Sequence, residues 1–340
     1  MFLLLVLFFA KIYLVVIPAV FRYTTVQRRL MFRNEHDRVV RSPERYGFKR
    51  TQVLYLNSED NIRIGLWHIP PQQKVKTTAT EASAAQPFAD GRPVVMYAHG
   101  SGGSRASKHR IALYRLLSER LSLHVVTFDY RGFADSTYVW PTSEGTVTDA
   151  STVYRWILQQ GATPDRVLLW GHSLGSGVVV RLLSSLPDCS SPLAAVLEAP
   201  FTTIKEVLQH CTISRLWNFL PYFEACFMER IINNPETNFD SVSLLDRVRC
   251  PLLFLHARED WMVDYRLGER LYQTAMSVQP QTVPRPLFYA FPREHSHSKI
   301  VYSELLYDII RQFIERHPPK VHSDAAESVS VHINDFINTD

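Results

Sequence analysis

From Pro93 onward the chain repeats one unit: a short run of consecutive apolar residues, a turn, and a helical pattern. PVVMYA (93–98) leads to a predicted helix near 108–121, LHVVTFD (123–129) to one near 147–160, and RVLLW (166–170) to one starting at Ser173. LAAVLEA (193–199) leads to an irregular stretch, PLLFLHA (251–257) to a helix near 264–275, and PLFYAF (286–291) to a last helix near 299–316. A strand that is apolar at every position must be covered on both faces, and the helices between such strands supply the cover. The expectation is an α/β fold with a mostly parallel central sheet and helices on both sides. Upstream, residues 52–56 and 62–69 alternate with period two and read as a hairpin across 57–61. Residues 71–92 are polar and Ala/Thr-rich, and read as a surface loop.

The N-terminus has a different character. Residues 2–21, FLLLVLFFAKIYLVVIPAVF, carry a single charge, Lys11. About twenty helical residues match the thickness of a bilayer's hydrocarbon core. A cleaved signal peptide has a shorter apolar stretch that ends in small residues, whereas here bulky Phe21, Arg22 and Tyr23 follow. The reading is an uncleaved membrane segment over 1–22, with Lys11 and Pro18 leaving room for an interfacial helix. A juxtamembrane linker carrying Arg28, Arg29 and Arg33 follows over 23–49, then the α/β domain over 50–316. The tail, 317–340, has no core pattern and reads as disordered.

Composition excludes some classes. The net charge of +4 comes from 37 basic and 33 acidic residues, without the basic stripe that nucleic-acid binding needs. Cys189, Cys211, Cys226 and Cys250 have no zinc-binding spacing and read as free thiols, with one disulfide open to the chain in an oxidising lumen.

The chemistry gathers around Gly171-His172-Ser173-Leu174-Gly175, which follows RVLLW and opens the helix GVVVRLLSSL. A serine on a sharp strand-to-helix turn needs small neighbours so that the backbone can close and lift its hydroxyl to the sheet's edge. A nucleophilic serine needs an acid and then a histidine later in the chain. PLLFLHA runs into Arg258-Glu259-Asp260, and Asp260 is the expected acid with Glu259 second. The segment FPREHSHSKI offers His297 as the base, with His295 second. No carboxylate or cysteine pattern completes a metal site around these histidines, so neither metal nor cofactor is expected. The oxyanion hole should draw backbone N–H groups from Leu174 and from the loop His99-Gly100-Ser101-Gly102-Gly103, with Ser101 as the second donor. That loop lacks both phosphate-binding glycine patterns.

The chain resembles the α/β-hydrolase superfamily over roughly residues 50–316. HGSGGSRASKHRIALYRLLSERLSLHVVTFDYRGFADS, WGHSLGSGV, LEAPFTTI and CPLLFLHARED look like the membrane-anchored monoacylglycerol and lysophosphatidylserine lipases of the abhydrolase-domain twelve group. The resemblance implies Ser173 as nucleophile, Asp260 as acid and His297 as base, a lipid ester as substrate, and residence at a membrane, the endoplasmic reticulum first. It also implies a lumenal or external active site, whereas the arginines over 22–33 point to the cytosol by the positive-inside rule. Ile300 and Tyr302 stand five positions after the two histidines, so no H-x-x-x-x-D acyltransferase pattern follows and hydrolysis is favoured.

An insertion over about 203–248 reads as a lid. Its aromatic run from Leu216 to Phe223, with Phe227 and Met228, suits an acyl channel as well as ordinary packing. Two other readings stand beside a membrane-bound serine lipase: a thioesterase or peptidase on the same fold, and a catalytically silent binding protein. Oligomeric state and protein partners leave no mark in the sequence.

Overall fold

Eight strands form one sheet in the computed structural model, which describes residues 2–16, 19–20, 23–34, 37, 39–59, 61–72, 86–210 and 229–319. They are β1 (Gln52–Glu59), β2 (Ile62–Ile69), β3 (Val94–Ala98), β4 (His124–Phe128), β5 (Val167–His172), β6 (Ala194–Glu198), β7 (Leu252–Ala257) and β8 (Leu287–Phe291). Their spatial order is β1-β2-β4-β3-β5-β6-β7-β8. The β1–β2 hairpin is antiparallel and joins β4 antiparallel, while every pair from β4 to β8 is parallel. The expected mostly parallel sheet is present, with its antiparallel part confined to one edge.

Alternation along each strand explains why the strands are apolar throughout. Val94, Met96 and Ala98 of β3 join one core cluster, and Val95 and Tyr97 join the other. The first cluster is closed by α4 (Ser143–Gln159), α5 (Leu174–Ser185) and α7 (Tyr265–Val278), the second by α3 (Lys108–Arg115) and α8 (Leu305–Arg316). Each fully buried Leu, Val or Phe on either face contributes roughly 1.5–3 kcal/mol through the water it no longer orders.

Several local readings shift. The helix expected near 147 begins at Ser143, because the Thr142 side chain accepts from the Gly145 N–H at 3.0 Å and caps it earlier. The helix expected from 299 is split: a short 3₁₀ turn over Ile300–Tyr302 gives way at Ser303, which is extended, before α8. The irregular stretch after β6 includes α6 (Ile204–His210). Part of the presumed surface loop is interior: Phe88 is fully buried and packs edge-on against Trp156, with ring centres 5.7 Å apart. Residues 73–85, the lid aromatics over 216–228, Cys211, Cys226 and the tail from 320 lie outside the described residues. Cys189 is exposed and Cys250 buried, and both are free thiols.

The N-terminal part is more attached than a linker. After α1 (Phe2–Lys11), α2 (Thr24–Met31) lies against the domain. Arg28 pairs with Glu236, and Gln27 accepts from the Asn234 side chain. Phe32 is fully buried in the first core cluster. Arg33 forms a parallel bridge with Gly102. Among the described residues no helix is long and apolar enough to cross a membrane.

Candidate active site

Ser173 stands between β5 and α5 with φ 52° and ψ −118°, a conformation that costs an L-residue roughly 1–3 kcal/mol. The surroundings impose it. The Ser173 N–H donates to the Glu198 carbonyl at 2.8 Å, and the Ser173 carbonyl accepts from the Ser176 N–H at 2.8 Å and from its hydroxyl at 2.6 Å. A Cβ on Gly175 would lie 2.0 Å from the Ala98 carbonyl oxygen, and one on Gly171 2.3 Å from that of Gly175. The two flanking glycines are therefore required by backbone-to-backbone contact.

Leu174 is the first residue of α5, so its N–H has no intrahelical acceptor and is available at the helix's positive end. Ser101 follows β3 in a loop that is held from three directions. Its carbonyl accepts from the Arg33 N–H at 2.8 Å. Arg110, itself buried, donates to the carbonyls of Gly102 and Ser104, each at 2.6 Å. Arg105, fully buried, donates its backbone N–H to Asp129 at 2.7 Å and its guanidinium to Asp135 at 2.8 Å. Gly103, at φ 70°, turns the loop where a Cβ would lie 2.5 Å from the Ser107 hydroxyl.

The loops after β7 and β8 bring Asp260 and His297 together. The His297 Nδ1–H donates to Asp260 Oδ2 at 2.7 Å. Asp260 Oδ1 accepts from the Met262 and Val263 N–H groups, each at 2.9 Å. Burial pulls the Asp260 carboxyl upward, but His297 and His256 beside it outweigh that and hold it well below the usual carboxylate range. A carboxylate this stable fixes the imidazole with Nδ1 protonated, leaving the lone pair on Nε2. The two second choices lie elsewhere: Glu259 is half exposed and pairs with Arg293 at 3.1 Å, and His295 Nδ1 meets the Lys299 carbonyl at 3.2 Å.

Two groups that the motif reading passed over join these elements. His172 donates its Nε2–H to the His297 carbonyl at 2.8 Å, tying the serine's strand to the histidine's loop. Burial holds His172 neutral, as it does His109, whose pKa falls to about 3. Glu198, at the end of β6, is buried and accepts from the Trp170 indole N–H at 2.9 Å, and burial raises its carboxyl to about 7. Both lie next to strand ends, and that position was the available signal.

A serine on a strained turn at the end of β5 and an imidazole paired with a carboxylate after β7 and β8 are the residue types that acyl-transfer chemistry uses. Comparison with known proteins gives the family. The family described as alpha/beta hydrolase fold matches residues 93–202. The chain is 34% identical to the lysophosphatidylserine lipase ABHD12 of Danio rerio over 90% of this chain and 81% of that protein. It is 34% identical to the protein of the same name from Rattus norvegicus (83% and 71% covered), and 33% identical to protein ABHD12B of Homo sapiens (78% and 73%). Among solved structures, the Pyrococcus furiosus esterase PF2001 superposes with a TM-score of 0.60 at 17% identity, covering 81% of this chain and 94% of that one, a likeness of fold. The chain thus belongs to the abhydrolase-domain twelve group of the α/β-hydrolases, the serine ester hydrolases that this architecture serves.

Proposed function

We propose that the protein is a membrane-associated lipase for lysophospholipids or monoacylglycerols. In this reading Ser173 Oγ attacks the acyl carbonyl and gives its proton to His297 Nε2. The Ser101 and Leu174 N–H groups receive the negative charge that develops on the carbonyl oxygen. Collapse expels the glycerol oxygen, which takes the proton back from His297, and leaves an acyl-serine. Water, deprotonated by the same imidazole, then releases the fatty acid and restores Ser173. Asp260 orients the imidazole and stabilises its charged form without taking the proton.

The observation that carries the reading is the buried hydrogen bond between Asp260 and His297, in a loop bonded to His172, the residue just before Ser173. A lipid substrate is supported by the relatives named lysophosphatidylserine lipase and by the apolar N-terminus. Residues 2–21 hold the chain at the bilayer in this proposal, at the endoplasmic reticulum membrane. Exposed Leu4, Phe8 and Phe9 supply the apolar surface for that contact. The test is to label the purified protein with a fluorophosphonate and profile the lipid esters it hydrolyses. Both activities should vanish in Ser173→Ala. Labelling retained in a folded Ser173→Ala protein would refute the mechanism, and lipids left intact by an enzyme that still cleaves soluble esters would refute the substrate.

A further inference from the structure

Resting on the lipase reading above, we infer that Arg33 is a specificity residue that binds the phosphate of a lysophospholipid headgroup beside the oxyanion loop. Its position is fixed by its own N–H and by the residues just before it. Phe32 is fully buried, Arg28 pairs with Glu236, and the Arg33 N–H donates to the Ser101 carbonyl at 2.8 Å. An arginine on a loose N-terminal arm would have to be ordered at each binding event, whereas this backbone is already in place.

The guanidinium is presented rather than consumed. A Cβ on Gly102 would lie 3.4 Å from Arg33 Nη2, 3.5 Å from Nε and 3.6 Å from Cζ. Three near-equal distances place the guanidinium face over bare glycine backbone, which leaves its N–H edges to other partners. The contact found at those edges is the Met262 sulfur, 3.8 Å from Nη2, a weak acceptor on the loop that also carries Asp260. Among the described residues no carboxylate pairs with Arg33, although its side chain is exposed. The cation therefore spans the rim from the oxyanion loop to the acid loop.

The substrate's geometry fits this placement. With the scissile carbonyl held at Ser101, the leaving glycerol carries its phosphate a few bonds away, next to residue 102. A planar guanidinium with free edges is the side chain best matched to a phosphate, through paired charge-assisted hydrogen bonds. A monoacylglycerol has no such group, so Arg33 would separate the two substrate classes.

The experiment compares lysophosphatidylserine with monoacylglycerol of the same acyl chain, using the full-length protein in neutral-detergent micelles. In Arg33→Gln the ratio of kcat/KM for the phospholipid over the neutral lipid should fall about tenfold or more, mainly through KM, as expected for a lost charged hydrogen bond. Arg33→Lys should fall less. Met262→Glu, which sets a carboxylate beside the guanidinium while leaving the N-terminal attachment intact, should lower the same ratio, and it decides the matter if Arg33→Gln does not fold. An unchanged ratio overturns the inference, as does an equal loss on both substrates. An effect seen only with anionic vesicles also overturns it, because it would assign Arg33 to the bilayer surface. A parent protein that hydrolyses neither lipid refutes the lipase reading itself, a result distinct from an active parent whose ratio is insensitive to Arg33.

Discussion

His172 and His297 are joined ring to backbone: the His172 Nε2–H donates to the His297 carbonyl across 2.8 Å, and the ring centres lie 4.9 Å apart. The proposed base is thus positioned by the neighbour of the proposed nucleophile. His172→Phe keeps a ring of similar shape and removes the donor. It should lower kcat about tenfold to a hundredfold, the range set by leaving a buried acceptor unpaired, with little change in KM. His172→Asn, which restores an N–H donor, should recover part of the loss. A fall in KM-dependent binding alone would show that His172 does not position the base.

The strain at Ser173 is separable from its chemistry. At φ 52° a glycine is more comfortable than any L-residue. Ser173→Gly should abolish hydrolysis and yet raise the melting temperature by a few degrees, through relief of about 1 kcal/mol. Ser173→Ala should abolish hydrolysis without that gain. Differential scanning calorimetry of both proteins decides.

Of the paired candidates, one of each is expected to matter. His297→Ala and Asp260→Asn should lower kcat by several orders of magnitude, because the proposed serine then has no correctly held base. His295→Ala and Glu259→Gln should change kcat less than threefold or so, since neither group reaches the Asp260–His297 pair. Steady-state kinetics on a soluble ester checks all four.

Glu198 should leave a mark on the pH dependence of stability. Burial raises its carboxyl from the ordinary 4.5 to about 7, so the folded protein holds a proton that the unfolded chain has released. Its contribution is complete below about pH 4.5 and is lost as the pH rises towards 7. Glu198→Gln keeps an acceptor for Trp170 but cannot ionise. The decline in stability between pH 5 and pH 7.5 should therefore be smaller in the variant, by on the order of 2 kcal/mol. Urea unfolding midpoints at the two pH values report the difference.

Truncation should divide at the N-terminal attachment. Removing residues 1–23 should spare hydrolysis of a soluble ester and reduce turnover of lipid in vesicles. Removing residues 1–34 takes away Phe32 and the bond to Ser101 as well, and the soluble-ester rate should fall with it. Phe32→Ala alone should cost about 3 kcal/mol of stability or more, by leaving a cavity in the core. A 35–340 protein with the full soluble-ester rate would show that the attachment is dispensable to the site.

The parts legible in the sequence were those with a repeating or adjacent signal. Continuous apolar strands announced a sheet covered on both faces, and the glycines around Ser173 announced a turn without room for side chains. Asp260 and His297 could be singled out as candidates because late strands end a few residues before them, and the structure pairs the two side chains. The attachment of Arg33 to Gly102 could not, because a single bridge has no periodicity to read. The His172–His297 bond spans 125 positions and is carried by one ring nitrogen, so no local pattern encodes it. Phe88 looked like part of a polar loop because burial of one aromatic among Ala and Thr is settled by its tertiary neighbours, Trp156 and His124.

The contact of Gly175 with the Ala98 carbonyl, and of Gly171 with that of Gly175, makes the base of the serine turn a stack of bare main chain. Peptide groups have fixed dimensions, whereas packed side chains settle to whatever depth their volumes allow. The height of Ser173 above the sheet is thereby set by covalent bond lengths, contact radii and the backbone hydrogen bonds that hold the turn. Repacking of the core by substitution elsewhere can soften the domain or shift its helices without retuning that height. The residue at 173 can be exchanged for another, but the pedestal beneath it has one thickness.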